Sequence, residues 1–164
     1  MSAADSSQSR PRGTRSLLAR AISALARREH SRQSLAQKLA AHAESREELE
    51  ALLNELETKG LLSDERFAHA LVRHRGERLG SARLRHELAE SGVSEEVAEQ
   101  ALLAARETEV QRAFRVWSKR FGAAPGDAQE RLKQMRFLHA RGFSPETYRQ
   151  LERVDFQPED LDSH

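Results

Sequence analysis

The residues of this chain best suited to chemistry are its arginines, and the chemistry they suit is recognition of anions. Of the 27 Lys and Arg in 164 residues, 23 are Arg. A guanidinium presents a planar fork that meets phosphate or carboxylate through two parallel hydrogen bonds, which an ammonium cannot do. The cations worth assigning to binding fall into three groups along the chain. The first is Arg27, Arg28, Arg32 and Lys38, and the second is Arg73, Arg75, Arg78, Arg83 and Arg85. The third is Arg131, Lys133, Arg136 and Arg141. Two targets fit them: acidic patches on a protein partner, and the phosphates of DNA. The formal net charge of +1 conceals blocks: residues 66–86 sum to +5, 87–109 to −6, 110–141 to +6 and 155–164 to −4. Such alternation suits a mixed-charge protein surface better than a uniform nucleic-acid face.

Other chemistries find little to work with. The absence of Cys removes disulfides, thiolate zinc sites and a Cys nucleophile. His69 and His74 stand five residues apart, about 140° around a helix, and no HExxH occurs among the seven His, so no metal site is expected. His30 and His86 each lie beside an acidic residue and read as surface or capping residues. No Ser has a His–Asp partner arrangement, and neither GxxxxGK[ST] nor GxGxxG is present. The chain reads as a non-enzyme without a cofactor. Its longest apolar run, Ala101 to Ala105, is five residues, and residues 1–16 carry arginines without the apolar core of a secretory signal. The expectation is a soluble cytoplasmic monomer with no membrane partner.

The elements that position these cations are helices. Ala, Leu, Arg and Glu dominate, whereas one Ile, six Val and four Thr make up the β-branched set. Periodic apolar residues run from Leu17, and Ser31, Ser45, Ser63, Ser94 and Ser144 stand where helices should start. Ser45 with Glu48 is a capping box, and Pro145 follows Ser144 at the first helical position. Asp64 then complements a helix dipole rather than acting as an acid catalyst. Phe67, Leu71, Phe143 and Trp117 are expected in the core. Gly92 and Gly142 are expected to stop helices in left-handed backbone. No breaker separates Ser94 from Phe121, so one long or kinked helix is expected there.

The helix stops repeat. Ala43-Glu44-Ser45, Gly92-Val93-Ser94 and Gly142-Phe143-Ser144 recur at steps of 49 and 50 residues. Ten residues before Ser45 and Ser94 stand Leu35 and Leu84, six before stand Leu39 and Leu88, and Leu138 stands six before Ser144. Gln134 occupies the remaining leucine position. The fold class is therefore all-α, a tandem array of three three-helix repeats forming an elongated, curved module. The expected organisation is a disordered basic tail over 1–16, repeats over 17–62, 63–107 and 108–154, and an acidic tail over 155–164.

These residues resemble the RecX family of regulators of the RecA recombinase. Arg27-Arg28-Glu29-His30-Ser31 with Leu35 and Lys38-Leu39 is similar to the family's opening. Leu62-Ser63-Asp64-Glu65-Arg66-Phe67-Ala68 is similar to its L-x-D-x-R-F-A signature, and Arg83-Leu84-Arg85-His86-Glu87-Leu88 to its G-x-x-R-I-R-x-E-L after Gly80. Phe137-Leu138-His139-Ala140-Arg141-Gly142-Phe143-Ser144 is similar to its FL-x-RGFS segment. Leu84 replaces the usual Ile, and Leu79 a common aromatic. The likeness covers residues 17–154. It implies a partner, the RecA filament with the single-stranded DNA inside it, besides weak direct DNA binding. It also implies a place along the filament groove, bridging subunits, and lowered recombinase, ATPase and coprotease activity. The alternative is an autonomous helical DNA-binding module acting without RecA.

Overall fold

Seven of the nine α-helices among the described residues begin on a side chain that accepts a hydrogen bond from the backbone three residues on. These caps are Ser16, Ser31, Ser45, Ser63, Ser94, Asp127 and Ser144. Each satisfies one of the backbone N–H groups that a helix start leaves without a partner. The computed structural model describes residues 16–156. All but Ser16 of the basic tail expected over 1–16, and all but Asp155 and Phe156 of the acidic tail expected over 155–164, lie outside the described residues.

Within them run α1 (Leu17–Leu25), α2 (Arg32–Leu39) with a 3₁₀ turn (Ala40–His42), α3 (Arg46–Thr58), α4 (Asp64–Arg75) and α5 (Ser81–Glu90). There follow α6 (Glu95–Glu107), α7 (Glu109–Arg120), α8 (Ala128–Ala140) and α9 (Pro145–Arg153). Neither a strand nor a helix long and apolar enough to cross a membrane occurs among the described residues.

The apolar faces close into three cores, one per set of three helices. Leu35, Leu39, Leu53 and Leu56 centre the first, and Leu84, Leu88 and Leu102 the second. Trp117, Leu138, Phe143, Tyr148 and Leu151 form the third. Leu88 is fully buried, so Leu88→Ala is expected to cost about 2–5 kcal/mol through the cavity it leaves, measurable by denaturant unfolding. Phe67 and Leu71 are only half-buried, at the edge of the second core rather than anchoring it. Phe156, two residues beyond the expected end of the third repeat, is buried with its ring stacked on Trp117 at 4.4 Å.

The exception in the leucine pattern has a chemical reason. Gln134 is buried, and its Oε1 accepts from the Trp117 indole N–H at 2.8 Å, while its Nε2 donates to the Ala123 carbonyl at 3.1 Å. A buried indole N–H needs an acceptor, which a leucine could not supply. The long or kinked helix expected over 94–121 is two helices that meet at Thr108. The chain breaks at Thr108, with no Gly or Pro, where the Arg112 guanidinium donates to the Ala105 carbonyl at 2.6 Å. That carbonyl is then held by a side chain from the next helix rather than by a continuing helical ladder.

The sets of helices are joined by one device used twice. The first backbone N–H of α2, at Arg32, donates to the Asp64 carboxylate at 2.8 Å, and Asp64 opens α4. The first N–H of α5, at Ser81, donates to Glu109 at 2.8 Å, and Glu109 opens α7. The middle helices of the first two sets thus have their positive ends capped by the first acid of the following set. The same helix start also docks on the helix stop ahead of it. Ser31 Oγ donates to the Ser91 carbonyl at 2.7 Å and Gln33 Nε2 to the Glu90 carbonyl at 3.1 Å. One repeat later, the Gly80 N–H donates to the Arg141 carbonyl at 2.8 Å and the Ala82 N–H to the Gly142 carbonyl at 3.2 Å.

Candidate functional site

The first basic group divides. Arg32, in the opening turn of α2, is held by Glu57 and Glu50 at 2.7 Å each and by Asn54 at 2.9 Å. Arg27 and Arg28 lie in the turn after α1, and Lys38 in the last turn of α2. These three line a cleft of about 410 Å³ together with Arg20, His30 and His42. Arg27, Arg28 and Lys38 are exposed. Among the described residues they enter no side-chain hydrogen bond or ion pair, so they are not spent on the helix C-terminal carbonyls beside them. No carboxylate among the described residues lines the cleft.

His30 forms part of its wall and is 3% exposed, which corrects its reading as a surface or capping residue. The chain folds back between α1 and α2 there, placing the imidazole within reach of the Ala24 carbonyl and 3.4 Å from Ser34 Oγ. Burial first, then the positive charges of Arg28 and Lys38, lower its pKa below 6.5, while the Ala24 hydrogen bond and Glu29 oppose them. The unfolded chain therefore takes up the proton while the folded chain still resists it. This contribution is fully present above pH 6.5 and is lost as pH falls through the depressed folded value. Melting temperature is expected to fall more steeply below pH 6.5 in the parent than in His30→Gln. Parallel slopes would show that His30 does not couple folding to protons.

In the second group the acidic block folds onto the basic one. Glu87 meets Arg75 at 2.9 Å and Arg83 at 3.6 Å, and Arg85 pairs with Glu95 at 3.5 Å and with Glu99. Arg73 and Arg78 are exposed and enter no ion pair among the described residues. The third group divides too. Arg131 forks onto Glu152, and Arg141 lays its guanidinium over Phe137 at 4.1 Å. Lys133 is exposed, and Arg136 borders a smaller, mostly apolar cleft of about 250 Å³ with Leu132, His139 and Tyr148.

Arg20 and His42 were not among the expected binding residues. Arg20, Ser23, Ala24 and Arg27 follow the i, i+3, i+4, i+7 spacing of one helix face, and Lys38 and His42 are four apart, so periodicity carried this signal. Asp64 stands in the first turn of α4 as expected and, like Glu109 in α7, also caps a neighbouring helix. Arg112 is not a surface cation: it is 7% exposed and donates to the carbonyls of Gly76, Leu79 and Ala105.

Comparison with known proteins adds three findings. Residues 63–102 match the family model described as RecX, second three-helix domain, and residues 107–151 that of RecX, third three-helix domain. The chain is 45% identical over 148 residues to a regulatory protein RecX of Leptothrix cholodnii, covering 90% of this chain and 94% of that one. It is 48% identical over 134 residues to a regulatory protein RecX of Ralstonia pickettii, covering 82% and 84%. In fold it is similar to the crystal structure of RecX from Lactobacillus salivarius, with TM-score 0.74, 18% identity, and 85% and 94% of the two chains covered.

Proposed function

The chain belongs to the RecX family, and from that premise we propose that it is a non-enzymatic cytoplasmic regulator of the RecA recombinase. As a monomer it binds the RecA–DNA filament along its groove and lowers recombinase, ATPase and coprotease activity. The observation that carries this reading is identity of 45–48% over 82–90% of the chain with proteins named regulatory protein RecX. The repeated joints support it, because they hold three sets of helices in series and so offer one surface to several filament subunits.

Co-sedimentation with RecA filaments, set against binding to bare single-stranded DNA at physiological salt, tests the partner. Tighter binding to the filament is expected. Equal affinity would favour an autonomous DNA-binding module. Undiminished ATP turnover and strand exchange at saturating protein would count against inhibition.

The middle cluster has its own test. Replacing Arg75, Arg78 and Arg83 together by Ala should leave melting nearly unchanged, since exposed pairs contribute about 0–1 kcal/mol each. The same change should weaken filament binding by removing charge-assisted contacts. Parental affinity in this variant would mean that the middle cluster is a solvated face, with Arg75 and Arg83 held by Glu87, and that the contacts lie in the first or third group.

A further inference from the structure

We infer that the cleft between α1 and α2 seats the phosphodiester backbone of single-stranded DNA. The inference deepens the filament reading and rests on it for the source of the strand. Four separate segments bring positive or protonatable groups to this one volume: Arg20 from α1, Arg27 and Arg28 from the turn, Lys38 from α2, and His42 from the 3₁₀ turn. Basic residues near helix C-termini commonly stabilise the last carbonyls. Here Arg27, Arg28 and Lys38 make no such hydrogen bond among the described residues. Among the described residues the three exposed cations stay together with no carboxylate paired to them, whereas Arg32, Arg75, Arg83, Arg85 and Arg131 each have one.

An anion is the ligand this arrangement calls for, and its shape selects the kind. A concave basic groove tracks a narrow strand that carries a charge at every nucleotide. An acidic protein patch presents carboxylates from a convex surface, for which flat guanidinium faces serve as well. No aromatic side chain among the described residues lines the cleft, so bases have no platform there to stack on. Recognition is therefore of the backbone alone: independent of base sequence and strongly dependent on salt.

The test uses the full chain carrying Arg27→Ala, Arg28→Ala and Lys38→Ala together. A control carries Lys59→Ala, Arg149→Ala and Arg153→Ala, the same change in net charge away from the cleft. Binding to a labelled single-stranded oligonucleotide of mixed sequence is followed by fluorescence anisotropy across a salt series, and thermal melting checks that both variants fold. The cleft variant should lose affinity about tenfold, and its dependence of log affinity on log salt should flatten by about two for three lost phosphate contacts. The control should stay close to the parent. In the parent, inorganic pyrophosphate should shift the NMR signals of His30 and His42 before those of His69 and His74.

Equal oligonucleotide affinity in the two variants overturns the inference. So does a cleft variant that keeps the oligonucleotide but loses the filament, since the cleft would then serve an acidic protein surface. A parent that fails to bind filaments refutes the filament reading instead, and the oligonucleotide and pyrophosphate measurements still decide the cleft.

Discussion

Arg112→Met is expected to cost about 3 kcal/mol of stability and to lower the melting temperature by about 6–12 °C. The Arg112 guanidinium donates to Gly76 and Ala105 carbonyls at 2.6 Å each and also to Leu79, tying the turn after α4 to the end of α6 and the start of α7. Methionine fills much of the space but supplies no donor, so three carbonyls in or near the interior lose their partner. A buried acceptor left without one costs about 1–3 kcal/mol, and relief of the buried charge returns part of the total. Burial lowers the Arg112 pKa, with Glu109 opposing it, yet a guanidinium stays protonated at any ordinary pH. The loss should therefore be independent of pH between about 5 and 8. Arg112→Lys keeps the charge but not the planar fork, and should recover only part of the stability. A melting temperature within about 2 °C of the parent in Arg112→Met would mean that water serves these carbonyls equally well.

Gly142→Ala should cost about 2–5 kcal/mol and loosen the joint between the second and third sets of helices. Gly142 has φ +86°, a conformation that costs a residue with a Cβ about 1–2 kcal/mol. A Cβ built there also falls 2.4 Å from the Arg83 backbone nitrogen, and relieving such a clash adds about 1–3 kcal/mol. Two controls separate the contributions. Gly60 has φ +70° with nothing within 4 Å of an added Cβ, so Gly60→Ala should show the strain alone. Gly80 has φ −79°, yet an added Cβ would lie 2.3 Å from the Gly142 carbonyl, so Gly80→Ala should show the clash alone. Hydrogen exchange at the Gly80 and Ala82 amides, which bond across this joint, should quicken in Gly142→Ala before the cores open. Equal losses in Gly142→Ala and Gly60→Ala would show that the joint yields without cost.

The sequence by itself determined most helix starts and stops, the division at Thr108 excepted. Ser31, Ser45, Ser63, Ser94 and Ser144 cap because a hydroxyl needs only the backbone three residues on, and Leu35, Leu39, Leu84 and Leu88 share a face because of helical spacing. Gly92 and Gly142 take positive φ because a helix stop demands it locally. The 49- and 50-residue steps carried the array, since repetition of local signals is itself visible along a chain.

Only the tertiary structure decided the fate of the charges. Arg83 and Glu87 are neighbours on one helix, but Arg32 finds Glu50 and Glu57, Arg131 finds Glu152, and Asp64 finds the Arg32 amide, all across elements. Charge sums over a block cannot say which guanidinium faces which carboxylate, because that depends on how helices distant in sequence are packed. For the same reason nothing in the sequence singles out Arg112, and His30 reads as a polar residue beside an acid. Their environments come from folding: Arg112 is buried against the turn after α4 and the end of α6, His30 in the fold-back between α1 and α2.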